Sequence, residues 1–412
     1  MTDSGTRVHM KAAYLFDGVN DPVRDGSLVI HGSQIESIGE PAADRPADVT
    51  IDLGDAAILP GLIDAHVHLT GERAFGRQFP DPALEALRAA QDAERILRSG
   101  VTTVRDCGSQ VSVALRTAIT EGAARGPRIV AAGRYMSQTG GHADWHSAPF
   151  DLLERLNDRI VVDGVEECRK AVRRAVRAKS DFIKICTTGG VGSESDHMLD
   201  EHFTPEEIGV IVEEAHRAGR RVAAHAQGKA GILNAVRAGV DTIEHGYFLD
   251  AECIEAMLEH GTTLVPTFGL IDIFRRNLEN AANLPPWRVT KQQQCIEAME
   301  KSFPMAVAAG IPIATGSDSF GAPGREHGRG YEEAISMVRS GGVDPIQVLR
   351  YATTGGAAAL GLGNTTGQLA PGAAADVIAT PIAPWDSIEA LRDVSFVMKD
   401  GRVIRAPDDE QP

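Results

Sequence analysis

Two histidines, His66 and His68, stand two residues apart in the apolar stretch "GLIDAHVHLT", directly after a Pro-Gly pair. Side chains alternate along a strand, so a strand here turns both imidazoles to one face. Such a pair is either a polar plug in an apolar interior or two metal ligands, imidazole being the commonest protein ligand for metals. Lys184 raises a similar question in "DFIKICTTGG", where it sits between Ile183 and Ile185. A lysine is rarely buried unless it is paired, deprotonated or modified. A neutral amine there could act as nucleophile or base, or add carbon dioxide and become a carbamate able to bridge two cations. The alternative is a lysine that reaches solvent or pairs with an acid. Three further groups each close a mostly apolar run: His225 in "RVAAHAQG", His245 in "TIEHGY" and Asp318 in "IPIATGSDS". A half-buried polar group needs a specific partner, and a lone histidine finds it most simply in a core hydrogen bond. Taken together, four imidazoles, one carboxylate and one potential carbamate form a nitrogen and oxygen set that suits Zn²⁺, Mn²⁺ or Co²⁺ and exceeds what one tetrahedral ion needs. The combination predicts a metal centre.

The surrounding pattern supplies elements to hold these groups. From about residue 58, short β-type runs alternate with helix-patterned segments, as in repeated βα units around a parallel sheet. Eight candidate strands fall around 58–68, 101–107, 128–133, 182–188, 221–226, 242–246, 263–268 and 311–318, and eight predict a (β/α)8 TIM barrel. The six residues then lie on strands one, four, five, six and eight, at the C-terminal ends where the active sites of such barrels are built. In "FTPEEIGVIVEEAHRAGR", Thr204 reads as an N-cap, Pro205 as the first helical residue and Glu207 as the partner of a capping box, with Ile208, Ile211, Val212 and Ala215 on one stripe and Gly219 as the stop. Residues 8–57 and roughly 366–405 carry short alternating strands broken by turns, which places them together in a small β-sandwich built from both termini. The predicted organisation is therefore 1–57 and 366–412 in the small domain and 58–365 in the barrel. Residues 269–300, containing "NLPPW", form a long insertion between strands seven and eight, either a lid or a helical excursion on the surface.

Bulk properties narrow the function classes. With 412 residues, 43% of them hydrophobic, the chain can bury a substantial core, against a disordered or fibrous reading. Its formal net charge is -16, and its basic residues are scattered, as in 169–179, so no nucleic-acid partner is expected. The five cysteines, Cys107, Cys168, Cys186, Cys253 and Cys295, show no CxxC pair, which predicts reduced, buried thiols instead of disulfides or a thiolate zinc site. Charges interrupt the N-terminal segment, and no apolar run approaches the roughly 18 residues of a membrane span; a soluble cytoplasmic protein without a membrane partner is expected.

"PGLIDAHVH" from Pro60 to His68, Lys184, His225, His245 in "EHG" and Asp318 in "GSDS" together resemble, residue by residue, the ligand set of the amidohydrolase superfamily. The terminal stretch "GQLAPGAAADVI" (367–378) resembles its small β-domain. Within the superfamily, "SQTGGHAD" (137–144) and the "TGGV" after Ile185 resemble the branch of binuclear dipeptidases, similar to Xaa-Pro and Xaa-Arg dipeptidases and to the amidohydrolases of ochratoxin-like N-acyl amino acids. The resemblance implies two divalent ions, zinc first and manganese or cobalt as alternatives. His66, His68 and Asp318 would hold the more buried ion, His225 and His245 the more exposed one, and Lys184, carboxylated at its side-chain nitrogen, would bridge them. It further implies a shared hydroxide as nucleophile, Asp318 as the group that accepts its proton and passes it to the leaving amine, and His142 as a group polarising the scissile carbonyl. Some members carry tyrosine two residues after the fifth-strand histidine, where this chain has Gln227. Candidate contacts to a substrate carboxylate are therefore Gln227, Tyr247, Tyr135 and Arg134. A small-molecule substrate and a homo-oligomer are expected. Two competing readings are hydrolysis of a lactone, carbamate or cyclic amide at the same site, and a metal-free structural homologue.

Overall fold

The structure, a computed structural model, describes residues 5–70, 81–144 and 160–407. Strands β1 (Arg7–Leu15), β2 (Val23–His31), β3 (Gln34–Ile38), β4 (Val49–Asp52) and β5 (Ala57–Pro60) open the chain. They are followed by β6 (Leu62–Val67), β7 (Val101–Asp106), β8 (Arg128–Ala131), β9 (Met136–Ser137), β10 (Ile160–Val161), β11 (Phe182–Cys186), β12 (Arg221–Ala226), β13 (Thr242–His245) and β14 (Thr263–Val265). The chain closes with β15 (Val377–Thr380), β16 (Phe396–Lys399) and β17 (Arg402–Arg405).

Both ends of the chain meet in one eight-stranded sheet of order β17-β16-β15-β5-β1-β2-β3, with β4 on β1. Its two ends approach each other. Ile35 of β3 donates to Ala373 O, and a Cβ on Gly401, between β16 and β17, would stand 1.9 Å from Gly32 O. The predicted sandwich is thus a single sheet curled over its own core of Val8, Met10, Leu28, Ile30, Val377 and Phe396.

The central strands run parallel in two sheets, β6-β7-β8 and β10-β9-β11-β12-β13-β14. Ile183, Ile185, Val222, Ala224 and Ile243 pack with helix residues such as Ile208, Ile211, Ile232 and Val236. Strand alternation therefore leaves Lys184 and His225 on the opposite face. The helix Pro205–Arg217 shows how such a layer is fastened. Glu207 N donates to the Thr204 hydroxyl (3.3 Å), Thr204 N donates to the Glu207 carboxylate (2.7 Å), and Gly219 reverses the chain at φ +66°.

Three expectations change. The candidate strand 58–68 is broken at Gly61: β5 pairs with β1 and β15 in the terminal sheet, whereas β6 pairs with β7. The break needs glycine, because a Cβ there would lie 2.1 Å from the Thr102 hydroxyl. The candidate eighth strand, 311–318, forms bridges instead of a regular ladder. It exchanges bonds with Leu264 on one side (Ala314 N to Leu264 O, 3.0 Å) and with β6 on the other (Asp318 N to His66 O, 2.7 Å; Ala65 N to Thr315 O, 2.9 Å). Pro312 has no N–H to offer a ladder, and Asp318 sits at φ +50°. Among the described residues the parallel strands thus form two ladders, not one closed ring. Finally, 269–300 is helical, as one of its two readings has it, but its second helix is partly buried. It contains the helix Gly269–Glu279 and most of the helix Pro286–Ala309, whose Lys291, Gln292, Cys295, Met299 and Phe303 are buried.

All five cysteines are free and buried. Among the described residues no helix is long and apolar enough to cross a membrane.

Candidate metal centre

His66 and His68 lie at the end of β6, Lys184 in β11, His225 near the end of β12, His245 at the end of β13, and Asp318 beside β6 on the bridging segment. The fold brings these sequence-predicted residues together. His66 Nε2 and His68 Nε2 stand 3.6 and 3.5 Å from Asp318 Oδ1. Ring centroids are 5.2 Å apart for His66 and His245, and 4.6 Å for His225 and His245. Donor atoms of His66, His245 and Asp318 lie within 4.8 Å of one another. This trio draws on both of the expected ligand sets. The His68 side chain is 23% exposed, whereas His66, His225 and His245 are buried.

Each imidazole has one nitrogen engaged by an oxygen. His66 Nδ1 meets Glu244 Oε2 at 2.7 Å, His68 Nδ1 meets Gly108 O at 3.0 Å, His245 Nδ1 meets the Thr267 hydroxyl at 2.8 Å, and His225 Nε2 meets Gly189 O at 3.1 Å. Ligating histidines are held in this way, with the second nitrogen bonded outward so that the tautomer and ring plane are fixed. Burial drives His66, His225 and His245 well below the usual histidine range, helped by the positive field of Lys184 and the neighbouring rings, so all three are held neutral. Burial opposes ionisation of Asp318, but the neighbouring positive charges, the Arg325 guanidinium first, outweigh it and hold the carboxyl below its ordinary value. Arg325 Nη2 reaches Asp318 Oδ2 at 2.6 Å.

Lys184 is 3% exposed, and among the described residues its Nζ has no hydrogen-bond partner. An orphaned amine beside neutral imidazoles and an ionised carboxylate is costly as it stands. The donor set fits divalent cations, which would take exactly the nitrogen and oxygen atoms left over. His245, Thr267 and Asp318 also adopt positive φ (+72°, +47° and +50°), so three strained backbone positions border this cluster.

His142 joins the group from the loop after β9. Its ring stacks on His225 at 4.4 Å and 17°, and its Nδ1 faces Ser193 Oγ (2.9 Å) and Asp196 Oδ2 (3.1 Å). A Cβ on Gly190 would lie 2.2 Å from His142 Cε1, so the glycine pair after β11 makes room for this imidazole. Of the remaining candidates, Gln227 is buried with Oε1 unpartnered among the described residues, and Tyr135 packs its ring 6.2 Å from His68. Arg134 is half-buried. Tyr247 is fully buried, with its hydroxyl 3.2 Å from that of Thr267 and its ring 5.6 Å from that of His245.

Sequence reasoning missed Glu244 and Arg105, a fully buried pair at 2.6 Å that holds His66 from behind. Arg105 lies in the apolar run "VTTVRD" and carries the same signal as Lys184, a cation where a strand is buried. Asp196 and Lys291, 3.3 Å apart, have no such local signal.

Residues 57–404 match the model of the amidohydrolase family. The ochratoxinase of Aspergillus niger is 33% identical over 98% of this chain and 88% of its own length. The chain belongs to the amidohydrolase family. The solved structure of the same ochratoxinase superposes with a TM-score of 0.88, covering 98% of this amidohydrolase and 97% of that chain at 32% identity. A Xaa-Pro dipeptidase with methionine bound in its active site gives 0.87 at 33% identity, over 97% of this chain and 99% of that one. A prolidase complexed with N-methylphosphonate-L-proline gives 0.86 at 30% identity, over 97% and 100%. These neighbours imply a TIM-barrel-type fold with a β-domain, and they make the protein a hydrolytic enzyme acting on amide bonds. The metal-free structural reading is thereby set aside. The family is generally metal-dependent, in keeping with the donor cluster.

Proposed function

We propose that this amidohydrolase cleaves the amide bond of dipeptides or N-acyl amino acids at a binuclear metal site. The observation that carries the reading is the buried Lys184 amine, orphaned among neutral imidazoles and an ionised Asp318. Relatives named for ochratoxin and for Xaa-Pro dipeptides support the substrate class. His66, His68 and Asp318 would hold one ion and His225 and His245 the other, with Lys184 bridging as a carbamate; zinc suits the donors best, with manganese or cobalt as alternatives. Such ions would supply an activated water and polarise the scissile carbonyl.

The chain's own groups then have distinct tasks. Asp318, held ionised, accepts the proton of the attacking water and passes it to the leaving amine. His142, stacked on His225, turns the edge opposite Nδ1 towards the carbonyl oxygen as charge develops there. Gln227 and Tyr135 line the side from which a substrate carboxylate would be recognised. The same reading takes the two parallel sheets as one barrel over 58–365, joined through 311–319, with 1–57 and 366–412 in the β-domain.

The test pairs elemental analysis of the purified protein with hydrolysis of Xaa-Pro and Xaa-Arg dipeptides and N-acyl-phenylalanines. About two ions per chain and cleavage beside a free carboxylate are expected. Equal turnover of lactones, carbamates or cyclic amides lacking that carboxylate would overturn the substrate class, and one ion per chain would overturn the bridging role of Lys184.

A further inference from the structure

We propose that Lys291 is a positioning residue that sets the His142 imidazole by holding the loop from Gly190 to Asp196. This inference rests on the catalytic reading of His142 given above. Lys291 belongs to the helix Pro286–Ala309, roughly a hundred residues beyond that loop, yet it is 5% exposed and points its Nζ into it. It donates to Gly190 O (2.8 Å), to Ser193 O (2.6 Å) and to Asp196 O, and lies 3.3 Å from Asp196 Oδ1. An ammonium group has three donors. All three are used on carbonyls of one short loop, while its charge sits beside that loop's carboxylate. The Trp287 ring, 5.5 Å from Nζ, covers it on the helix side.

The loop so held faces two histidines of the site. Gly189 O accepts from His225 Nε2, while Asp196 Oδ2 accepts from Gly190 N (3.2 Å) and meets His142 Nδ1. Ser193 Oγ donates to Asp196 Oδ1 and so presents only its lone pairs to His142. Both neighbours of Nδ1 are therefore acceptors. Nδ1 keeps its hydrogen, and Nε2 is the nitrogen left for the substrate side, in a plane fixed by the stack on His225. Removing the Lys291 cation would leave three carbonyls without that donor and a buried carboxylate without its neighbouring cation, and the loop would have to open to rehydrate the carbonyls. The insertion between strands seven and eight thus acts as a strut behind the catalytic loop.

The experiment uses the full-length zinc-loaded protein, labelled with ¹⁵N in its histidines, as wild type and as Lys291→Met, Asp196→Asn, His142→Ala and the double variant His142→Ala/Lys291→Met. The wild-type spectrum should show a solvent-protected Nδ1–H that vanishes in His142→Ala and is lost or exchange-broadened in Lys291→Met and Asp196→Asn. With N-benzoyl-L-phenylalanine as substrate, Lys291→Met should lower kcat by about 10- to 100-fold, the usual effect of removing an orienting partner, and leave KM within about threefold. In the His142→Ala background it should cost nothing more, since a residue acting through another is not additive with it. A protected Nδ1–H that survives both substitutions, or equal losses in both backgrounds, would overturn the proposal. If Lys291→Met does not fold, Lys291→Gln, which removes the cation but keeps a polar amide, carries the test in its place. If the wild type fails to hydrolyse the substrate, the proposed function falls, while the imidazole spectra still decide the role of Lys291.

Discussion

Glu244→Gln is the perturbation whose consequences the structure specifies most closely. Glu244 accepts from Arg105 Nη2 (2.6 Å) and Thr242 Oγ1 (2.5 Å) on Oε1, and meets His66 Nδ1 (2.7 Å) on Oε2. A glutamine keeps the shape but has one acceptor atom and one donor group. If its amide nitrogen faces Arg105, two donors oppose each other in a dry site. If it faces His66, it donates to Nδ1 and drives the hydrogen to Nε2, the nitrogen needed for a metal. Arg105 retains bonds to Ala65 O (2.7 Å) and Thr242 Oγ1 (2.9 Å), so the loss should fall at the lower end for breaking a buried ion pair, about 3 kcal/mol. Zinc affinity should fall about 10- to 100-fold, or roughly 1.4–2.7 kcal/mol. Urea unfolding of the metal-free protein measures the first quantity, and competition with a chromophoric chelator the second. Stability within about 1 kcal/mol of wild type together with zinc affinity within about twofold would show that Glu244 does not set the His66 tautomer.

Two other outcomes follow from the same cluster. Lys184→Met should abolish amide hydrolysis yet stabilise the metal-free protein by about 1–3 kcal/mol, because an unpartnered buried amine is replaced by an apolar side chain; a Met variant that is both inactive and less stable in urea would contradict the orphan assignment. In the metal-free protein, His66, His225 and His245 are held neutral by burial while their unfolded counterparts titrate near the ordinary histidine value. Below about pH 6.5 the unfolded chain therefore binds protons that the folded chain refuses, and stability should fall with acidification by up to about 4 kcal/mol per pH unit if all three stay neutral. Urea midpoints at pH 7.5, 6.5 and 5.5 check this, and a flat or rising series would refute it.

The parts of the site written in local sequence were legible. Lys184 between two isoleucines, and histidines or an aspartate closing apolar runs, are polar groups where strand burial allows none without purpose, and six of them at strand ends pointed to one centre. The same logic reaches Arg105, which sits just as improbably in its strand. What was not legible depended on tertiary fit. The break at Gly61 is enforced by the Thr102 side chain, which no local pattern encodes. The eighth strand reads apolar enough for a ladder, yet Pro312 and the positive φ of Asp318 reduce it to bridges. Tyr247 is near the site in the linear sequence, but no local pattern encodes the turn made by His245 at φ +72° and Gly246 at φ +61° that buries its ring. Lys291 meets its carbonyls only through a helix packed about a hundred residues later in the chain.

The features that destabilise the centre all point the same way. Neutral imidazoles crowd within about 5 Å of one another, an amine is buried without a partner, and three residues in strained backbone conformations surround them. Each would count against the folded state on its own. The supporting contacts, Glu244 on His66, Thr267 on His245 and Gly189 on His225, do not relieve that cost, because they satisfy the outward nitrogens and leave the inward ones facing each other. A cation in the middle would turn the inward lone pairs into ligands, and carbon dioxide added to the Lys184 amine would turn it into an oxygen donor. On the proposed reading the protein matrix holds the site in place before loading, and loading would supply stability that the chain lacks there, so that folding and metal binding would be thermodynamically linked.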